Sequence, residues 1–171
     1  MPKNISPENA LHRIAALCSR SEQAEADIRK KLTSWGINSE DAENIIARLI
    51  EEKYLDEMRY AHAFVRDKFR FGGWGRTKIA YAMRQKHISA DCIADALTEI
   101  DETEYIDTLL YALKSKLRAI AGKEPFLQRA ALFRFAASRG FEPQIIGKAI
   151  SSIMKTSNCD DDSDFYQEDN F

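Results

Sequence analysis

The residues that could do chemistry in this 171-residue chain are few and widely separated. His12, His62 and His87 stand far apart, and no cysteine or carboxylate accompanies them at metal-ligand spacing. Acidic neighbours such as Glu51 and Glu52 point in different directions on a helix, so they cannot work together as a general acid and base. No serine or cysteine is placed as a nucleophile. The sequence therefore predicts a protein that is not an enzyme, with no catalytic residue, no cofactor and no metal site.

The segment FRFGGWGRTK, residues 69–78, combines glycines, aromatic residues and basic residues. A phosphate-binding loop needs backbone N–H groups presented by a strand, a loop and a helix, and neither the strand nor the lysine spacing is present. We therefore expect a tight turn between two helices, with Phe69 and Trp74 directed toward the core. The basic residues around its exit are Arg70, Arg76 and Lys78.

Basic residues are concentrated in two stretches of the chain. Residues 66–86 hold seven Lys and Arg against one aspartate, and residues 114–134 hold six against one glutamate. Lys and Arg neutralise phosphates and exposed aromatic side chains stack on bases, so these stretches predict contact with nucleic acid or a nucleoprotein filament. An ordinary solvated helix surface is the alternative. The predicted contact residues are Arg66, Arg70, Arg76, Lys78, Tyr81, Arg84, Lys114, Lys116, Arg118, Arg129 and Arg134.

A repeat of about fifty residues must position these side chains. Residues 28–49, 79–100 and 132–153 align without gaps, and apolar residues occupy matching positions in all three copies. Within each half of a copy these residues recur every three or four positions, which is typical of a helix with one buried face. Each copy therefore predicts two successive helices.

The break between the two helices of each copy carries local signals. Asn38 and Ser89 stand where a helix N-cap belongs. Gly36 and Gly140 suit the left-handed turn that ends the preceding helix, and His87 takes that position in the middle copy. These signals predict two helices joined by a short turn in each copy.

A further helical pattern precedes each copy, and no alternating strand pattern of useful length occurs. We therefore predict an all-α fold of three tandem three-helix repeats stacked into an elongated, curved array. The predicted divisions are residues 1–55 for repeat 1, 56–101 for repeat 2, 102–156 for repeat 3 and 157–171 for an acidic, disordered tail. The tail holds six of the 27 acidic residues. It either solubilises the protein or competes with nucleic acid for the basic surface.

The composition, 44% hydrophobic and 30% charged, is ordinary for a globular protein. No apolar run approaches the roughly 20 residues that span a bilayer. The N-terminal residues MPKNISPENA lack the apolar core of a secretory signal. We therefore expect a cytoplasmic protein with no membrane contact, whose three separated cysteines form no disulfide framework.

Several motifs together resemble the RecX family, the regulators of the RecA recombinase. They are SRSEQAEADIRKKL (19–32), LDEMRYAHAFVRDKF (55–69), GGWGRTKIAYAMRQKHI (72–88) and RFAASRGF (134–141). The resemblance implies three tandem three-helix repeats without enzymatic activity. A regulator of this kind predicts a monomer. The resemblance also implies binding along the groove of the RecA–DNA filament. The basic faces predict contacts to single-stranded or double-stranded DNA. The effect that the resemblance implies is modulation, usually inhibition, of ATP hydrolysis and strand exchange in DNA repair and recombination. His87 departs from the family pattern, where glycine is usual, and the acidic tail lies outside that pattern.

Two other functions are compatible with helical repeats. A sequence-specific repressor could use a helix-turn-helix unit, which predicts a dimer and a preferred duplex site. A scaffold that binds only proteins predicts binding with weak salt dependence, whereas contact with six or more phosphates weakens by about 10³ or more between 50 and 200 mM salt.

Overall fold

The structure, a computed structural model, describes residues 5–159, with side chains as far as Lys155. Within these residues the chain forms helices and no strands, which confirms the all-α prediction of three-helix repeats. Only residues 157–159 of the predicted acidic tail are described, and they end the final helix. The rest of the predicted tail lies outside the described residues. The helices are α1 Pro7–Cys18, α2 Glu25–Ser34, α3 Ser39–Glu51, α4 Glu57–Arg70, α5 Arg76–Gln85, α6 Ala90–Leu97, α7 Glu102–Ala119, α8 Pro125–Ser138 and α9 Pro143–Cys159.

Short polar side chains begin five of these helices. Each accepts a hydrogen bond from the backbone N–H three residues later, at 2.8–3.4 Å. These N–H groups have no partner within the helix, so each cap contributes about 1 kcal/mol relative to alanine. Asn38 and Ser89 occupy the predicted cap positions. The other capping residues are Ser6, Asp56 and Asp101.

The turn between the second and third helix of each repeat has the predicted left-handed residue. The φ angles are +81° at Gly36, +60° at His87 and +88° at Gly140. A side chain makes this conformation unfavourable, which explains why glycine occupies two of the three positions. The histidine in the middle repeat confirms that the local geometry is common to the three copies even where the residue differs.

By its internal packing the chain divides into two compact units, referred to below as the first and second unit. The first unit contains residues 5–72 together with Ile79–Glu99. Here α3 packs against α1 and α2, and α4 packs against α6. Fully buried aliphatic side chains form its core, among them Ile14, Ile28 and Leu49.

The second unit contains Gly73–Lys78 and residues 100–159. In this unit α7 packs against α8 and α9. Tyr105 and Phe141 are both buried, and their ring centroids lie 5.0 Å apart. The limits proposed for the three repeats stay a prediction. The two units are defined by packing, whereas the repeats are defined by similarity in sequence.

Residues 73–78 join the second unit through backbone hydrogen bonds. The N–H of Gly75 donates to the carbonyl of Arg139 at 2.7 Å, and that of Thr77 donates to the carbonyl of Gly140 at 3.0 Å. The segment FRFGGWGRTK therefore contains the predicted turn between α4 and α5. Phe69 is buried as expected, whereas Trp74 is only half-buried.

Candidate nucleic-acid interface

Helix α4 carries two of the predicted contact residues in the first unit. Arg66 and Arg70 lie one turn apart and both are exposed. Nη1 of Arg66 lies 3.2 Å from the carboxylate of Glu99. An exposed ion pair of this kind contributes about 1 kcal/mol or less, so a phosphate could displace the glutamate at low cost.

Helix α5 carries Tyr81 and Arg84, also in the first unit. The Tyr81 side chain is 60% exposed, and Arg84 follows three residues later, on the same side of the helix. Arg84 is exposed and has no ion-pair partner among the residues that the structure describes. The nearby Lys86 differs, because its Nζ lies 2.7 Å from the Asp27 carboxylate. Of these two cations, Arg84 is the one available to an external anion.

Arg76, another predicted contact residue, is held inside the second unit. Its side chain is only 20% exposed, and Nη2 lies 2.7 Å from Oε1 of Glu102. Nη1 lies 3.8 Å from Oε1 of Glu142, and the guanidinium carbon lies 4.1 Å from the ring centroid of Tyr105. Two carboxylates and an aromatic face therefore engage this cation, and its first role is to hold the unit together.

The hydrogen bonds around Tyr105 support the same conclusion. The Arg76 backbone N–H donates to the Tyr105 hydroxyl at 3.0 Å, and that hydroxyl donates to the Glu142 carboxylate at 2.5 Å. Burial, reinforced by the hydrogen bond to Glu142, raises the pKa of the Tyr105 phenol well above its usual value. A substitution at Arg76 would therefore disturb the packing as well as remove a charge.

Lys78 also has a contact within the second unit. Its Nζ lies 4.4 Å from the ring centroid of Trp74, within cation–π distance, and the side chain is half-buried. Lys116 on α7 makes a similar but longer contact, 5.6 Å from the ring of Phe135. Both cations cover an aromatic surface of the second unit.

The other predicted cations of the second unit are exposed. Arg129 donates a long hydrogen bond of 3.4 Å to the hydroxyl of Ser151. Lys114 and Arg118 on α7, and Arg134 on α8, have no ion-pair partner within the described part of the chain. These three side chains, with Arg84, are the predicted contact residues that are both exposed and electrostatically available.

The sequence-based prediction omitted Tyr111, whose side chain is 80% exposed. A signal for it was present, because Leu109 and Leu113 are both buried and mark the inward side of α7. Two residues correspond to about 200° of rotation on a helix, so Tyr111 points away from the core. The omission arose from counting charges in this stretch without following the helix face.

No group of three or more His, Cys, Asp and Glu residues could hold a metal ion within residues 5–159. The helices of that same region include none that is long and apolar enough to cross a membrane. A cavity of about 100 Å³ in the first unit is lined by Glu57, Tyr60 and Lys86, among others. It is smaller than the roughly 300 Å³ at which pockets for small-molecule ligands begin.

Comparison with known proteins gives the family. Residues 56–97 match the sequence model of the RecX second three-helix domain. A regulatory protein RecX from Pseudomonas putida is 31% identical over 136 residues, which cover 79% of this chain and 85% of that protein. This chain belongs to the RecX family.

Other RecX proteins match as well. One from Prosthecochloris aestuarii is 28% identical over 151 residues, covering 85% of this chain and 93% of that protein. One from Clostridium botulinum is 31% identical over 137 residues, covering 79% of this chain and 64% of that protein. The chain spans 58–64% of the length of the clostridial RecX relatives. All of these relatives are named as regulatory proteins.

Crystal structures of RecX proteins have the same fold. A RecX from Lactobacillus salivarius superimposes with a TM-score of 0.77 at 17% identity, covering 87% of this chain and 97% of that one. A second structure of a regulatory protein RecX gives a TM-score of 0.75 at 23% identity, with coverage of 81% and 68%. At these identities the likeness establishes the helical fold.

Proposed function

We propose that this protein is a non-enzymatic regulator that binds the RecA recombinase–DNA filament, as a monomer in the cytoplasm. Binding modulates the filament's ATPase and strand exchange in recombination and DNA repair, and inhibition is the expected direction. Membership of the RecX family supports a regulatory role. The observation that carries the proposal at the residue level is a set of exposed cations without ion-pair partners in the described region: Arg84, Lys114, Arg118 and Arg134.

An unpaired cation can bind a phosphate without first breaking an ion pair inside the protein. Arg76 would have to leave Glu102 before meeting a phosphate, whereas Arg84 would only lose water. Each phosphate neutralised on a single strand releases about 0.7 counterion, so four contacts predict a slope near −3 in a plot of log affinity against log salt. Raising salt from 50 to 200 mM would then weaken binding about 50-fold.

The test measures RecA ATPase on single-stranded DNA while this protein is titrated. The site variant replaces Arg84, Lys114 and Arg118 with glutamine. The control variant replaces Arg20, Lys30 and Arg48, which are also exposed and carry the same total charge but lie outside the candidate set. We expect the wild type and the control to inhibit at similar concentrations, and the site variant to require at least about ten times more, since phosphate contacts dominate such affinities.

The two possible failures have different meanings. A wild-type protein that leaves both ATPase and strand exchange unchanged would contradict the proposed function. Equal potency of the site and control variants, together with inhibition by the wild type, would leave the function intact and remove these residues from the interface.

A further inference from the structure

We infer that Tyr111 is a stacking platform for an unpaired nucleic-acid base, with Lys114 and Arg118 holding the adjacent phosphates. The ligand class is single-stranded nucleic acid. This inference rests on the proposed function, because it describes how one part of the second unit would contact the nucleic acid.

The geometry of α7 brings the three side chains to one side of the helix. Leu109 and Leu113 are fully buried and fix the inward side. Tyr111 lies opposite them, and Lys114 and Arg118 follow three and seven residues later, positions that share a helix face. At a rise of about 1.5 Å per residue, the two cations lie roughly 4.5 and 10.5 Å along the axis from Tyr111.

The Tyr111 ring has no evident role in folding. It is 80% exposed and has no ring contact or hydrogen bond within the described residues. By contrast, Tyr105 packs near Phe141, and Phe135 lies under Lys116. Both faces of the Tyr111 ring are therefore accessible to a planar partner.

Charge determines which planar partner fits. Residues 111–123 contain four Lys and Arg and no acidic residue, and Lys114 and Arg118 are exposed. These charges therefore favour a polyanion over a small apolar ligand or a protein surface with few acidic groups. In a duplex the bases are stacked on one another and hide their faces, whereas a single strand offers both a base face and phosphates. The combination of one exposed ring and nearby cations thus favours a single strand.

The first unit contains a similar pair of an exposed tyrosine and a cation three residues later. Tyr81 is 60% exposed on α5, and the exposed Arg84 follows it by three residues, as Lys114 follows Tyr111. The two pairs lie in different units and in helices that occupy different places in the repeat, so alignment of the repeat does not account for the similarity.

The experiment uses the full chain and two fluorescently labelled strands of equal length, one of oligo(dT) and one of abasic nucleotides with the same phosphates. Fluorescence anisotropy gives the affinity of the wild type, Tyr111→Ala, Tyr111→Phe and the double variant Lys114→Gln/Arg118→Gln. Stacking on an aromatic side chain accounts for roughly a fivefold to a hundredfold change in affinity per base upon alanine substitution. We expect Tyr111→Ala to bind oligo(dT) about tenfold more weakly and Tyr111→Phe to stay within about twofold of the wild type.

The abasic strand separates stacking from charge. Tyr111→Ala should bind it as tightly as the wild type does, because no base is present to stack. The double variant should bind both strands more weakly and lower the salt slope by about 1.4, from roughly 0.7 for each lost contact. Circular dichroism checks folding, which a substitution at an 80% exposed side chain should leave intact.

Several outcomes would overturn the inference. They are unchanged oligo(dT) binding by Tyr111→Ala, equal loss on both strands, or a wild type that binds neither strand. Loss of RecA inhibition by Tyr111→Ala with normal oligo(dT) binding would also overturn it, because the ring would then contact the recombinase itself. The oligonucleotide assay contains no recombinase, so its result is independent of whether the wild type inhibits RecA.

Discussion

Replacing Gly75 with alanine should destabilise the second unit strongly. A Cβ atom at this position would lie 2.2 Å from the carbonyl oxygen of Gly140, 2.3 Å from its carbonyl carbon and 2.4 Å from the nitrogen of Phe141. All three are backbone atoms, which cannot rotate away as a side chain can. The 73–78 segment would have to move off the turn between α8 and α9.

The magnitude follows from the clash and from the hydrogen bonds at the same place. Overpacking by one methyl group costs about 1–3 kcal/mol when the surroundings can adjust. The adjustment would stretch the bonds from Gly75 to Arg139, now 2.7 Å, and from Thr77 to Gly140, now 3.0 Å. Each such bond contributes about 1 kcal/mol. We therefore expect Gly75→Ala to lower the free energy of unfolding by about 3 kcal/mol.

The measurement is urea denaturation followed by circular dichroism. Gly147→Ala is the matched control, because Gly147 lies inside α9 and a Cβ there meets no atom within 4 Å apart from the neighbouring backbone of its own helix. Alanine is favoured over glycine in a helix interior, so this control should gain about 1 kcal/mol. Substitutions at uninvolved surface sites usually change the free energy of unfolding by no more than about 0.5 kcal/mol. A change that small for Gly75→Ala would refute the close contact between Gly75 and the backbone at Gly140.

Two further predictions concern local conformation and pH. His87→Gly should raise the free energy of unfolding by about 1 kcal/mol, because His87 has a φ of +60°. His12→Gly inside α1 should lower it by about 0.5 kcal/mol, because glycine is the poorer helix former. Urea titrations compare the two variants, and changes of the same sign would contradict this reasoning. Burial, with a smaller contribution from Asp27, raises the pKa of Tyr60 to about 12 from an ordinary value of 10. The unfolded chain therefore loses the phenol proton first, and stability should fall between pH 10 and 12. Tyr60→Phe should show a shallower fall in the urea midpoint over that interval, and identical pH profiles would refute a buried, neutral phenol at Tyr60.

The repeated helices could be predicted from the sequence because their signals are local. A cap such as Asn38 acts on an N–H three residues away, and the turn at Gly140 depends on the φ angle of one residue. Buried positions three or four residues apart likewise identify the inward side of a helix. These interactions lie within a few residues of each other, so the amino-acid order contains them directly.

The candidate interface could be predicted only in part. Counting Lys and Arg located two basic stretches, and the structure leaves Arg84, Lys114 and Arg118 exposed. Arg76 lies in the same basic stretch as Arg84. It differs because it is paired with Glu102, which lies 26 residues away along the chain. Charge composition cannot reveal which cations the fold itself neutralises.

By itself, then, the sequence determined the all-helical repeat, its caps, its left-handed turns and the regions where positive charge accumulates. Only the tertiary structure decided which charges remain available, as Arg76 against Arg84 illustrates. It also decided that Gly75 must lack a side chain, because the backbone it meets lies 65 residues further along the chain, at Gly140. Helix formation depends on neighbours in sequence, whereas charge neutralisation and close backbone contact depend on neighbours in space, which folding alone brings together.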